Sequence, residues 1–525
     1  MKLKKFFTKP CVLIIISAVL SALPLTFSSL FWLSWVSFVP FFYVMIKHSC
    51  DKTVLCLRNG ILFGAVYHIC IYYWFLWFYP LDFANLTNGS SVAVVALAWF
   101  GISLVHGALW CIPTLACKPI AKSPCLTCTV AILGILTAEK LTQISELSFP
   151  WVRVALGQYK ATVLIQSASV FGIDGVDMLI LSVNALIALS IVYPPKKRTV
   201  TAVTAAVVFC ANMIFGFIRL NTEPQADSKD KINIMTVQGS VEQDEKWSSD
   251  GDKICYDVYT RLTTENIESD TELIIWPESA VPKVYKSEKS LSKYKKISKT
   301  TDTPLLAGVL LKKNGVSTNN TLLVDKSELK SAYTKRQLVP FGEYMPYKNT
   351  LSKIFPFLNE LNIIEDDYAP GTDTALMQIK DRNVGNIICF ESIYPGLTRK
   401  SVADGAELMI EVTNDSWLKD SPAMWQHLAH GVFRSVENGR CLVRSANSGI
   451  SATIDSKGRI KTVLEPNTQG VICDTVYFSD EQTPYTKNGD ILFTSCAVVV
   501  AVWYLVFLIL QLKLKIKANK IARQE

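Results

Sequence analysis

The sequence has 525 residues, a net charge of +8 and a mean hydropathy of +0.26. Half of it is hydrophobic and 19% is charged, below the roughly 25% charged of ordinary soluble domains. This excludes a single soluble domain. The positive excess sits at the ends of apolar runs, where it reports topology, so a nucleic-acid partner is excluded too.

The apolar residues are concentrated. Residues 1–220 and 490–512 are strongly apolar, whereas 221–489 have a soluble composition. The expected layout is a membrane domain at 1–220 with about seven helices, an extramembrane domain at 221–489, and an eighth span with a basic tail at 490–525. The 14 cysteines form no disulfide framework, because most lie inside apolar runs. The CxxC at Cys125–Cys128 opens one such run, with no paired CxxC or histidine, and reads as packing.

In chain order, Lys2, Lys4, Lys5 and Lys9 precede an apolar run from Cys11. Further spans follow at once, so this run is expected to be a first anchor and not a cleaved leader. Spans are expected near 10–27, 29–46, 56–79, 91–117, 125–144, 165–193, 199–219 and 490–512. Asp174, Gly175 and Asp177 blur the sixth, which on this reading starts near Met178. Placing the N-terminus inside puts Lys47, Lys52, Arg58, Lys118, Lys122, Lys196, Lys197, Arg198 and the basic tail on the cytoplasmic side. Lys and Arg favour that side, so residues 221–489 fall outside. His68 and His106 lie in spans and are functional candidates, although a neutral histidine bonded to a carbonyl is the commoner case. Ile71–Pro80, IYYWFLWFYP, reads as an interfacial aromatic belt or a lipid entry path.

The extramembrane part reads as α/β. Strands are expected at Ile232–Val237, Leu273–Trp276, Leu305–Leu311, Thr321–Val324, Val384–Cys389, Leu408–Val412, Cys441–Ile450 and Ala452–Asp455. Helices are expected at Lys253–Ile267 and Met424–Glu437. A glycine-rich phosphate loop, HExxH and GxSxG are all missing from the sequence, so no nucleotide, metal or other cofactor is expected.

Three stretches carry chemistry. VGNIICFESIYPG (Val384–Gly396) ends an apolar strand on Cys389, with Glu391 two residues on. IIWPESAVP places Glu278 at another strand end. YTKRQLVPFGEYMP places Lys335 and Glu343 in an extended segment. A thiolate nucleophile needs a base and a cation close by, and these residues supply both.

A strand ending in WPE, a KxxLVPFGEYxP segment and a strand ending in C-(Y/F)-E, in that order, resemble the nitrilase superfamily of carbon–nitrogen hydrolases. The spacings are 57 residues from Glu278 to Lys335 and 54 from there to Cys389. The surrounding spans narrow the resemblance to its membrane-embedded branch, the bacterial apolipoprotein N-acyltransferases, and it covers nearly the whole chain. It implies an αββα sandwich carrying a Glu278–Lys335–Cys389 triad. The implied reaction moves an acyl chain from a phospholipid to the N-terminal diacylglyceryl cysteine of a lipoprotein, through a thioester on Cys389. It also implies a monomer in the bacterial inner membrane, with the sandwich on the periplasmic side.

The resemblance adds Trp247 as a functional tryptophan, Glu343 as a second supporting glutamate and Glu391 as the acid after the nucleophile. Phe390 stands where the family usually has tyrosine, which keeps an aromatic wall and loses a hydroxyl. NDSWLKD (Asn414–Asp420) departs from the Phe-Gly that the family favours after the tryptophan, so a changed loop is expected. On residue type alone, Trp247 could be core packing, Glu343 a turn cap, and Glu391 an ion-pair partner of Arg434, Arg440 or Arg444. Asn349–Pro370, with Phe355, Phe357 and Leu358, is apolar and long for a loop, and reads as a lid that dips into the outer leaflet. Two other readings stay open. One is a membrane-tethered amidase, whose acceptor is water. The other is a non-enzymatic receptor or transporter, although the internal repeats often seen in transporters are missing.

Overall fold

The computed structural model describes residues 9–48, 52–81, 87–120, 122–222, 230–354 and 367–491, with parts of 494–513. Phe355, Phe357 and Leu358 of the expected lid lie outside the described residues.

Among the described residues, six helical stretches are long and apolar enough to cross a membrane: Ser28–His48, Thr53–Phe78, Asn88–Ala116, Pro124–Leu141, Ala168–Val192 and Pro195–Asn221. The first and last expected spans correspond to the shorter apolar helices Pro10–Thr26 and Thr494–Val506.

The sixth expected span begins at Ala168, ten residues before Met178, with one non-helical residue at Gly172. Gly172 has φ 70, and a Cβ there would meet the Tyr485 ring at 2.6 Å, so the bend needs glycine. Asp174 and Asp177 lie inside this helix and are buried because they are paired. Arg153 binds Asp177 at 2.8 Å and also pairs with Asp174, and its Nε lies 3.5 Å from Glu139. Lys140 joins Asp174 at 2.9 Å to Asp490 at 2.5 Å, just ahead of the last apolar helix. Arg153 is 2% exposed, so Arg153→Met strands buried carboxylates and is expected to cost about 3–5 kcal/mol. Thermal unfolding of the detergent-solubilised protein should show a much lower midpoint than wild type.

The expected aromatic belt is corrected in part. Tyr72–Phe78 forms a 3-10 helix that buries Tyr72, Trp74 and Phe75, and Trp74 packs 5.3 Å from Trp151. Leu76 and Tyr79 remain exposed. His68 Nδ1 lies 2.7 Å from the Gly64 carbonyl, the bland arrangement, while His106 Nδ1 meets the Tyr72 hydroxyl at 2.9 Å.

The α/β part holds thirteen strands among the described residues: β1 (Lys231–Gln238), β2 (Leu273–Trp276), β3 (Val284–Tyr285), β4 (Leu305–Lys313), β5 (Val316–Asp325), β6 (Glu328–Thr334), β7 (Met377–Ile379), β8 (Arg382–Ile388), β9 (Leu408–Thr413), β10 (Leu442–Ala446), β11 (Ser451–Ile454), β12 (Ile460–Leu464) and β13 (Gly470–Tyr477). One sheet runs β13-β1-β2-β4-β5-β6, with β3 beside β4, and the other runs β12-β11-β10-β9-β8-β7. The sheets face each other through Ile232, Ile234, Leu273, Ile275, Val384, Ile388, Leu408, Ile410 and Val412. Alternate residues turn outward: Met235, Val237, Ile274 and Trp276 pack beneath the Gly251–Asn266 and Ser292–Thr301 helices. Strands buried on both faces read as unbroken apolar runs, which is why the central ones stand out in the sequence.

The second sheet's outer face is covered by the Pro395–Ala403 and Ala423–Asn438 helices, and the Ala168–Val192 membrane helix packs on the latter. Ile14, Phe38, Trp151 and Ile180 share one continuous core with Ile387, Phe390, Met409, Leu428 and Val432. The sandwich is therefore fused to the helices, not tethered by a linker.

Candidate active site

The candidate residues meet at the carboxyl ends of strands that run the same way. β2 is parallel to β4, β8 is parallel to β9, and β6 reverses twice from β4 through β5. In open α/β sheets ligands bind at such edges. Pro277 ends the β2 ladder and Glu278 follows, 6% exposed. Gly308 of β4 lies directly against this turn, where a Cβ would come within 2.4 Å of Glu278 Cα. Only glycine allows that approach.

Lys335 comes one residue after β6 and is 1% exposed. Its ammonium lies 3.2 Å from Glu278 Oε1 and 2.9 Å from Glu343 Oε1. Asn319 Nδ2 donates to the same two oxygens, at 2.6 and 2.9 Å. Asn414 N–H donates to Glu278 Oε2 at 2.9 Å, and Val339 N–H to Glu343 Oε2 at 2.8 Å. Both carboxylates are thereby fixed in direction. Glu343 sits in a turn, not in an extended segment. Burial acts to discharge the Lys335 amine, but the Glu278 and Glu343 carboxylates outweigh it and hold its pKa well above the usual lysine value. The amine stays charged at any physiological pH.

Cys389 follows β8 and opens the 3-10 turn Cys389–Ile393. Its φ of 52 is left-handed, a strained backbone for a side chain other than glycine. The residue as a whole keeps partial exposure. Burial of the sulfur, then the Glu278 carboxylate, push the thiol pKa well up, while Lys335 opposes them. The resting group is a thiol.

Glu391 is fully buried and pairs with none of the three arginines considered for it. Arg434 binds Glu437, Arg444 binds Glu411 and Asp415, and Arg440 donates to the Ala406 carbonyl. Glu391 accepts from the Tyr333 hydroxyl at 2.7 Å and from the N–H groups of Arg336 at 2.7 Å and Ile388 at 2.7 Å. It ties the residue after Lys335 to the residue before Cys389, and so sets their spacing. Phe390 is buried against Phe149 at 5.7 Å and Tyr394 at 5.5 Å. Its ring packs into the core shared with the membrane helices. Trp247 is 48% exposed, which rules out core packing. It ends the short Gln243–Lys246 helix, whose Gln243 accepts from Ser416 at 2.7 Å. In the departing loop, Lys419 has φ 45 and reaches the Tyr79 carbonyl at 3.2 Å.

The sequence reading missed Asn319, Thr413, Asp415, His427 and Arg444. Asp415 accepts from Thr413 at 2.8 Å and from Arg444 at 2.6 Å, and meets His427 Nδ1 at 2.9 Å. Burial would raise the Asp415 pKa, but Arg444 and His427 hold it well below the usual carboxylate range. Donor atoms of Cys389, Asp415 and His427 lie within 4.8 Å of one another. The Arg444 guanidinium on Asp415 makes this a poor cradle for a divalent cation. Asn414 and Asp415 stand beside a tryptophan motif and could have been picked out, whereas nothing in the sequence separates Asn319 or His427 from ordinary strand and helix residues.

An αββα sandwich with an acid, an amine and a thiol at its strand ends, fused to apolar helices, defines a membrane-embedded protein of the carbon–nitrogen hydrolase class. The Carbon-nitrogen hydrolase family model matches residues 243–483, and the Apolipoprotein N-acyltransferase N-terminal domain model matches 17–186. The chain belongs to the apolipoprotein N-acyltransferase family. The apolipoprotein N-acyltransferase of Geobacter metallireducens is 27% identical over 93% of both chains. That of Methylococcus capsulatus is 30% identical over 65% of this chain and 66% of its own. The crystal structure of Saccharomyces cerevisiae Nit3, a member of branch 10 of the nitrilase superfamily, covers 48% of this chain and 93% of its own at 16% identity, with a TM-score of 0.37.

Proposed function

We propose that this membrane enzyme transfers a fatty acyl chain from a phospholipid to the α-amino group of a lipoprotein's N-terminal diacylglyceryl cysteine, with Cys389 as nucleophile, Glu278 as base and Lys335 as electrostatic partner. The observation that carries this is the placement of Glu278, Lys335 and Cys389 on a sandwich whose nucleophile turn is packed, through Phe390 and Phe149, into the membrane domain. A soluble substrate would need no such fusion.

Glu278 takes the thiol proton as sulfur attacks the ester carbonyl of the phospholipid. Lys335 and the Phe390 N–H face the oxyanion of the tetrahedral intermediate. The acyl C–O bond breaks, Glu278 returns the proton to the glycerol oxygen, and a lysophospholipid leaves a thioester on Cys389. The amine then attacks, Glu278 takes its proton, and the C–S bond breaks to give the amide and restore the thiol. Glu343 and Asn319 hold Lys335 and Glu278 in register, Glu391 braces the turn, and Trp247 offers an exposed ring at the rim. The reaction needs no cofactor.

The domain boundaries we assign are 1–220, 221–489 and 490–525, acting as a monomer in the bacterial inner membrane with the sandwich on the periplasmic side. Contacts support that side. The sandwich touches Leu25, Tyr79, Glu146 and Trp151, all at segments assigned outside by the charge pattern.

Phospholipid labelled in its acyl chain, given with a diacylated lipopeptide, should yield labelled triacylated lipopeptide plus lysophospholipid. Labelled free fatty acid with no labelled lipopeptide would instead identify a hydrolase.

A further inference from the structure

His427 lies on the Ala423–Asn438 helix and is 2% exposed. Its Nε2 is 3.1 Å from the carbonyl oxygen of Cys389. A carbonyl only accepts, so Nε2 carries a proton and donates. The other nitrogen, Nδ1, is 2.9 Å from both Asp415 Oδ1 and Arg444 Nη2, which fixes the ring's rotation. The Trp151 ring, from the membrane domain, packs on the imidazole at 5.5 Å. Trp151 is itself held by Gln426 at 2.7 Å and His430 at 3.1 Å, on the same helix.

The peptide group is planar and trans, so its C=O and N–H point in opposite directions. Clamping the Cys389 carbonyl from one side therefore sets the direction of the Phe390 N–H on the other. Cys389 has a left-handed backbone, and its peptide to Phe390 lies past the end of the β8 ladder, at the opening of the 3-10 turn. The first N–H groups of a helical turn also lack acceptors within the turn. We propose that His427 is a positioning residue: its Nε2–H bond to the Cys389 carbonyl locks the Cys389–Phe390 peptide and aims the Phe390 N–H at the oxyanion. By this inference the spans contribute to catalysis, since Trp151 helps hold the ring that does the locking. It rests on the reading of Cys389 as nucleophile.

The test compares two reactions of the same sulfur in the full-length protein. Acylation by labelled phospholipid, in a single turnover, develops an oxyanion, whereas alkylation by iodoacetamide does not. His427→Ala should slow acylation about 30–100-fold and leave alkylation within about threefold, as expected for a weakened oxyanion donor. His427→Gln offers an amide N–H of similar reach and should restore acylation to within about fivefold of wild type. Should the alanine variant not fold, His427→Asn, too short to reach the carbonyl, must show the same fall in the acylation-to-alkylation ratio. Wild-type acylation in His427→Ala, an equal fall in both reactions, or a Gln variant no better than Ala would overturn the proposal. Alkylation is read on the Cys389 peptide, because Cys125 and Cys210 are also exposed. Cys389→Ala must abolish acylation; if it does not, the nucleophile assignment fails, not the clamp.

Discussion

Cys389→Ser is expected to lower acyl transfer by at least about 10³-fold while the protein folds as wild type. The substitution swaps sulfur for a smaller oxygen at a partly exposed turn on the margin of the core between the sheets, so little packing is lost. The chemistry does depend on it. A serine hydroxyl is a far weaker acid than a thiol, and even the thiol here is held above its usual pKa by burial and by Glu278. One carboxylate base, itself engaged by Lys335, Asn319 and the Asn414 N–H, has little further driving force for removing an alcohol proton. Thermal unfolding beside the labelled-phospholipid assay separates the two effects: an unchanged midpoint with lost transfer is the expected pair.

Lys335→Met should be nearly as damaging, and for two reasons. The ammonium bonds both Glu278 and Glu343. Its loss leaves two buried carboxylates sharing one Asn319 amide, and breaking a buried ion pair in this way costs about 3–5 kcal/mol. It also removes a cation from the face where the oxyanion forms, a loss of about 10²–10³-fold in kcat for one such donor. Thermal unfolding beside single-turnover acylation checks both losses: a Lys335→Met enzyme with a wild-type midpoint and wild-type acylation would mean that the ammonium serves neither role. Lys335→Arg is not a conservative control, since a planar guanidinium cannot take the place of a compact ammonium between the two carboxylates.

The elements legible in the sequence share one physical property. β1, β2, β4, β8 and β9 are buried on both faces and appear as apolar runs, and their ends carry Glu278 and Cys389. β6 and β12 consist mainly of exposed and half-buried residues, so no unbroken apolar run marks them as strands. Hydropathy found the membrane helices but misjudged the sixth, because Asp174 and Asp177 read as solvent-facing when they are neutralised by Arg153, about twenty residues earlier. The same limit explains the site. Glu278, Lys335, Glu343 and Cys389 sit in dense motifs. His427, which meets the Cys389 carbonyl, is one residue of a helix, and only the packing of that helix on the β8 turn gives it meaning. Glu391 shows the reverse case: its position after the nucleophile was evident, but its partners, Tyr333 and three backbone amides, come from the fold.

Intact-protein mass spectrometry after incubation with phospholipid and no acceptor tests the thioester most directly. The expected result is a single fatty-acyl mass on the wild-type enzyme, mapped to Cys389, removed by neutral hydroxylamine and discharged by a diacylated lipopeptide as the amide product appears. An enzyme that turns over without an acyl mass on Cys389, or carries that mass on another residue, would contradict it.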